Sequence, residues 1–173
     1  RIDVPGLAQA FAPYRRALAD MGAVDFDEQI YRAIEVLLQD GPFRRRVQTR
    51  CRHLLVDEFQ DLTAAHVLLI RLLASPGLEV FGVGDDDQVI YGHAGADPAF
   101  LIEFEQLFPG AGSHPLQVNY RCPIAVVDAA RTLLGYNRYR VPKVIEPRPS
   151  ASPDADAIVV EQHEPEAGPA RVV

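Results

Sequence analysis

The chain has 173 residues, an apolar fraction of 48% and a formal net charge of −7, which excludes a disordered segment and suits one ordinary domain or parts of two. No apolar run approaches the about 20 residues that a membrane-spanning helix needs, the first residues lack a signal-peptide pattern, and two cysteines, Cys51 and Cys122, supply neither a metal spacing nor a disulfide framework. The acidic balance disfavours attraction of the whole surface to nucleic acid and leaves only local patches for it; the expected setting is cytoplasmic, without a membrane partner.

In chain order, "DFDEQIYRAIEVLLQDG", residues 25–41, predicts a helix. Ile30, Ile34, Leu37 and Leu38 fall at helical spacing, Asp25 or Asp27 caps the start, and Gly41-Pro42 stops it. "RRRVQTRCR", residues 44–52, carries five arginines and is one such local patch, its plainer reading a solvated face; Lys143 is the sole lysine among 17 basic residues, a compositional bias. "HLLVDE" is short, apolar and bounded by polar residues, as a buried parallel strand is. Residues 62–74, "LTAAHVLLIRLLA", predict a second helix with Asp61 or Thr63 as cap and "SPG" as terminator. The apolar residues of 67–73 are expected in the core, with His66 a core or boundary histidine; His53 and His114 receive no role. "LEVFGVGDDDQ", residues 78–88, predicts a second buried strand that leaves through Gly82 and Gly84 into acids. Strand, helix, strand in this order predicts a right-handed βαβ unit. Residues 98–108 read as a short helix ended by "PGAG", and "HPLQVNY" as a third strand. "PIAVVDAARTLLG" reads as a helix with Pro123 in its first turn and Gly135 at its stop. "VPKVIEPRPSASPDADA" reads as loop, "IVVEQHE" (158–164) as a strand and "PEAGPARVV" as the start of a helix.

Ligands of open α/β sheets bind beyond the carboxyl ends of the strands, and acids stand at two such ends: Asp57-Glu58, and Asp85-Asp86-Asp87 followed by Gln88. Mg²⁺ takes few protein carboxylates and fills its other positions with water and phosphate oxygens. Asp57 is the natural ligand, and Glu58 is free to polarise a water. Taken alone, an Asp-Glu pair is more often a plain strand-to-loop junction, and Asp86 and Asp87 read as a solvated turn.

Three ordered motifs change that balance. "LLVDEFQD", "VGDDDQVIYGHAGAD" about thirty residues on, and "LQVNYRCP" resemble motifs II, III and IV of the superfamily 1 DNA helicases of the UvrD/Rep/PcrA type. "DFDEQIYRAIEVL" and "VVDAARTLLGYNRYRVPK" resemble that family's flanking helices, so the likeness runs from about residue 14 to 173. It implies a partial α/β, parallel-sheet, RecA-like P-loop NTPase core. Residues 1–20 would be the tail of the helical 1B subdomain, 21–113 the C-terminal half of the RecA-like 1A domain, and 114–173 the N-terminal part of 2A. It implies Mg²⁺ and ATP as cofactors, and single-stranded and duplex-junction DNA as partners. Asp57 would hold the Mg²⁺ and Glu58 would activate the hydrolytic water. Gln60 and Asp61 would tie this loop to the next motif, and Gln88 would sense the γ-phosphate. Tyr91 and His93 would lie along single-stranded DNA, Tyr120 would stack on adenine, and Arg121 would reach the γ-phosphate across the cleft.

The chain departs from the family pattern at three places. Trp or Phe is usual at His93, Arg at Ala94, and a Ser helix cap at Cys122, whose thiol is a weaker acceptor. The phosphate loop G-x-x-x-x-G-K-[ST] and motifs V and VI are absent from these residues. The expectation is thus an internal slice of a 3′ to 5′ DNA helicase or translocase, of the DNA-repair kind, inactive as an ATPase by itself. Two other readings remain. A truncated or degenerate binding module fits His93, Ala94 and the missing loop, but gives no reason for Asp57, Glu58, Gln88 and Arg121 together. A two-metal nuclease built on Asp57, Glu58, Asp61 and Asp85 leaves Gln88, Tyr120 and Arg121 without a task.

Overall fold

A computed structural model describes residues 6–74, 79–151, 153 and 157–159. The described residues up to Ala111 form one compact unit and those from Gly112 onward a second.

The first unit begins with α1 (Leu7–Asp20) and α2 (Phe26–Gln39). Asp25 starts α2 by accepting the amide of Glu28 at 2.7 Å, and its other oxygen accepts the Tyr14 hydroxyl of α1 at 2.6 Å. The Tyr14 hydroxyl, and after it the Glu28 amide, hold the Asp25 carboxyl below the usual carboxylate range. Arg15 adds a 2.8 Å ion pair to Glu28. Gly41-Pro42 does end α2, but the same residues open α3 (Gly41–Arg50). Asp40 ends one helix and caps the next by accepting the Phe43 amide, and Pro42 sits in the first turn, where no amide donor is needed. The arginine-rich segment is therefore helical. It is pinned from below: Arg44 donates to the Leu37 carbonyl at the end of α2, and Gln48 to the Leu72 carbonyl.

Strand β1 (His53–Val56) pairs in parallel with β2 (Glu79–Gly82), Leu55 opposite Phe81, with α4 (Ala64–Leu73) between them in sequence. The expectation that both strands are buried needs correction. Burial alternates along each, and Leu55 (75%) and Phe81 (59%) are exposed, because only one face of this two-stranded ladder is covered by described residues. Thr63 caps α4 in a reciprocal box with His66, whose Nδ1 faces both the Thr63 amide and hydroxyl. The expected core over 67–73 narrows to Val67 and Ile70, the face turned inward; Leu68 is exposed. Residues 98–108 hold two single-turn helices, α5 (Ala99–Ile102) and α6 (Phe104–Leu107), broken at Glu103. They bring Phe104 and Phe108 edge-on to Phe59, which is fully buried.

In the second unit, β3 (Val118–Asn119) pairs in parallel with β4 (Glu146–Pro147). The segment expected to be loop throughout thus supplies a short strand. Helix α7 (Ile124–Leu134) buries Val127 and is tied to the segment before β4 by Arg131, which donates to the Ile145 carbonyl. Pro123 is the N-cap of α7 and lies just before its first turn, and Gly135 ends the helix as expected. The "SPG" terminator, the final helix and, beyond Val159, the expected strand over 158–164 lie outside the described residues.

Candidate functional site

The chain leaves β1 through Asp57 and turns at Glu58, which has φ 51 and ψ 45. Among the described residues it is the only non-glycine with positive φ, a conformation disfavoured by contact between Cβ and backbone. The turn lets the Phe59 amide donate to the Val83 carbonyl at 2.9 Å, while the Val83 amide donates to the Val56 carbonyl at 2.8 Å. The carboxyl ends of the two strands are stitched together by this exchange, and Phe59 is driven into the core beneath them.

Gln60 follows, on a 3₁₀ turn, and is only 2% exposed. Its amide nitrogen donates to the Glu58 carboxylate at 2.8 Å, and its carbonyl oxygen accepts the Asp85 amide at 3.0 Å. Asp85 in turn accepts the Asp87 amide at 3.1 Å and the Gln88 side-chain amide at 2.6 Å. One continuous path therefore runs Glu58–Gln60–Asp85–Gln88. Gly84 makes room for it: a Cβ there would lie 2.6 Å from the Gln60 carbonyl oxygen and 3.1 Å from the Phe59 amide nitrogen. Asp61, expected to share the tie to the next motif, makes no such bond; its Oδ1 is buried without a hydrogen-bond partner among the described residues. Sequence reasoning used Asp85 only as a metal ligand in the disfavoured nuclease reading and missed its bridging place. The signal available was an Asp two and three residues before an amide and a glutamine, the arrangement of an Asx turn.

Asp57 is exposed and accepts the Glu58 amide through one oxygen at 2.9 Å. Its other oxygen bonds to no protein group among the described residues, so a hard anionic donor stands at the strand end, the type Mg²⁺ takes. The donor set here fits that ion. Asp85, Asp86 and Asp87 can also bring one oxygen each within 4.8 Å of one another, but Asp85 is already committed to the turn by both of its oxygens.

Past this turn, Tyr91 and His93 expose their rings side by side, with centroids 6.2 Å apart and planes at 48°. The loop is anchored below by the Asp97 amide, which donates to the Leu62 carbonyl, and by buried Ala96. Asp57, Glu58 and Gln88 are thus exposed around a buried Gln60 that bonds Glu58 and, through Asp85, Gln88, and Tyr91 and His93 form an adjacent pair along the same loop.

In the second unit, Tyr120 (73% exposed) and Arg121 stand in the turn between β3 and α7. Asn119 shapes that turn: its Oδ1 accepts the amides of Arg121 and Cys122 at 2.9 and 2.8 Å. The expected capping role of Cys122 is therefore a misplacement. Pro123 holds the N-cap position and makes no side-chain cap bond, and the two amides before it, of Arg121 and Cys122, are met by Asn119.

Comparison with known proteins finds a family and relatives for this chain. The family described as "UvrD/REP helicase N-terminal domain" matches residues 5–109. "Putative ATP-dependent DNA helicase YjcD" of Bacillus subtilis is 32% identical over 133 residues, which is 77% of this chain and 18% of that protein. "ATP-dependent DNA helicase PcrA" of Leuconostoc citreum and of Staphylococcus aureus are each 34% identical over 137 residues, 79% of this chain. The chain spans 18% and 19% of those two relatives, so it corresponds to under a fifth of their length.

Proposed function

The chain belongs to the UvrD/REP helicase family, and from that premise we propose that it carries part of the ATP-hydrolysing and DNA-tracking machinery of an ATP-dependent helicase moving 3′ to 5′ on single-stranded DNA. The observation that carries the proposal is the path Glu58–Gln60–Asp85–Gln88 at the carboxyl ends of two parallel strands. It links a carboxylate suited to proton transfer with an amide suited to reading a phosphate.

Asp57 holds Mg²⁺ in this reading, and the ion supplies neutralisation of charge on the phosphate oxygens of ATP. Glu58, its carboxylate steadied by Gln60, takes the proton of the attacking water. Gln88 exchanges its bond to Asp85 for one to a γ-phosphate oxygen, and the loss of that bond is felt at Asp85 and Gln60. Arg121 brings a guanidinium fork to the same charge, an effect of about 10³ to 10⁵ in rate where such arginines have been measured. Tyr120 stacks on adenine, and Tyr91 and His93 present faces to successive bases, worth about 1–3 kcal/mol per base for aromatic residues. The proposed organisation assigns 1–20 to 1B, 21–113 to 1A and 114–173 to 2A, acting in the cytoplasm on single strands and at duplex junctions. Among the described residues no helix is long and apolar enough to cross a membrane. A binding module without turnover is the second reading, favoured by His93 and Ala94 at positions where the family carries a larger aromatic and an arginine.

The sole lysine, Lys143, lies in "VPKVI", so no G-x-x-x-x-G-K-[ST] stands in these residues. The proposed outcome for this chain alone is no ATP turnover. The test is a chimera in which residues 53–97 replace their counterpart in Staphylococcus aureus PcrA. It should hydrolyse ATP, and Glu58→Gln should lower turnover by about 10²- to 10⁴-fold. A chimera that hydrolyses ATP equally well with Glu58→Gln overturns the assignment, and a folded, ATP-binding chimera without turnover favours the binding module.

A further inference from the structure

The arginine-rich helix α3 is used by none of the chemistry above. Five of the chain's 17 basic residues fall in nine positions, Arg44 to Arg52, of an acidic protein. Between Gly41 and Val56 there is no Asp or Glu. The structure sorts these arginines. Arg44 is half-buried and spends a donor on the Leu37 carbonyl. Arg45, Arg46 and Arg50 are exposed with Thr49 on one side of α3, lining one surface hollow with Pro42, and Arg52 is exposed just past the helix end. Among the described residues none of the five forms an ion pair. The nearest acid by strand pairing is Glu79, and its carboxylate is taken by His53 at 2.7 Å.

We propose that Arg45, Arg46 and Arg50, with Arg52 beside them, form a second nucleic-acid contact that grips the phosphate backbone of duplex DNA. Such a contact deepens the helicase reading and rests on it for the identity of the polymer. The chain-wide preference for arginine means that arginine rather than lysine carries no weight here; the clustering, the shared face and the lack of partnering acids do. Like charges held this close on a helix destabilise it by a few tenths of a kcal/mol per pair, so the free protein gains nothing by collecting them. Arg45 to Arg50 rise about 7.5 Å along the helix, roughly two phosphate steps of one duplex strand. Guanidinium forks match phosphate oxygens. The Thr49 hydroxyl spends its hydrogen on the Arg45 carbonyl, so the donors to phosphate are the guanidinium groups alone. Duplex is favoured over single strand because the face offers no free aromatic platform: Phe43 is half-buried with Arg46 over its ring at 5.5 Å. An acidic protein is disfavoured because the face has no apolar centre of the kind protein interfaces use. The helix is a rigid mount, fixed by Arg44 and Gln48 to carbonyls of the helices below.

The test is fluorescence anisotropy of the purified protein with a short duplex, an oligo-dT strand and oligoglutamate, each over a salt series. Arg45→Gln/Arg46→Gln/Arg50→Gln keeps good helix formers in α3, and circular dichroism checks that the fold is kept. Each phosphate contact steepens log K against log salt by about 0.9 on duplex. The triple variant should therefore flatten the duplex slope by about two to three, while Arg32→Gln, which removes an arginine already ion-paired to Glu28 and Glu35, leaves it unchanged. An unchanged duplex slope overturns the proposal, and so does oligoglutamate binding as tight and as dependent on the same arginines. The helicase reading fails separately: oligo-dT binding that ignores Tyr91→Ala counts against it, whatever the duplex arm shows.

Discussion

Gln60→Ala is the sharpest probe of the strand-end network. The substitution removes both bonds of a side chain that is 2% exposed. The Asp85 amide loses its acceptor at a site too closed for easy rehydration, at a cost of about 1–3 kcal/mol. The bond to the Glu58 carboxylate contributes less, roughly 1 kcal/mol at most, because Glu58 is exposed and water replaces the donor. Destabilisation of about 1–4 kcal/mol follows, or a fall of about 4–16 °C in the melting temperature for a unit of this size. Thermal melts by circular dichroism measure it. Gln60→Glu sharpens the test. It preserves volume but buries a second carboxylate against Glu58, so its folded-state pKa is raised by desolvation and like charge. A group shifted upward contributes stability that is lost as pH rises through the raised value. The Glu variant should therefore melt higher at about pH 5 than at about pH 8, more so than the parent. A Gln60→Ala protein melting within about 2 °C of the parent, with no acid rescue of the Glu variant, would refute the claim that this amide bridges the two loops.

Gly84→Ala should cost about 1–3 kcal/mol by pushing a methyl against the Gln60 carbonyl oxygen, and less when Gln60→Ala is already present; additive losses in a double-mutant cycle would argue against the contact. Tyr14→Phe should raise the Asp25 carboxyl pKa, followed by NMR titration, since the lowered value rests first on the Tyr14 hydroxyl. A carboxyl lowered on folding contributes stability above its ordinary range that fades as pH falls, so this variant should show a shallower acid decline, and an unmoved Asp25 would count against the α1–α2 link. Asn119→Ala should destabilise the second unit by about 1–2 kcal/mol and speed hydrogen exchange at the Arg121 and Cys122 amides, whereas Asn119→Asp should retain protection.

Helices with a clear apolar period were legible in the sequence, and each cap is one of the two residues it offered: Asp25 rather than Asp27 before α2, and Thr63 rather than Asp61 before α4. The parallel pairing of β1 with β2 was legible too, from the helix between them. Helix α3 was not, because a run of arginines has no apolar stripe and Gly41-Pro42 reads as a stop although it also serves as a start. The β4 pairing was hidden by two residues, one of them proline. The half-exposed faces of Leu55 and Phe81 were hidden because an apolar strand pattern does not say how many layers cover it. At the site, the motifs named Glu58, Gln60 and Gln88; the spacing of Asp85 before Asp87 and Gln88 signals only the local turn, and nothing in it revealed that Gln60 reaches Asp85 or that Asn119 shapes the turn before Arg121. Those are side-chain-to-backbone bonds, decided by local geometry that only the folded loop displays.

The backbone at Glu58 bears on how this protein would respond to selection. A glutamate at φ 51 leaves about 1–3 kcal/mol of strain in the folded state, which glycine would release. A laboratory screen for heat resistance or soluble expression should therefore enrich Glu58→Gly, discarding the carboxylate assigned to the water. Under selection for durability alone, the fold and the proposed chemistry would pull position 58 in opposite directions.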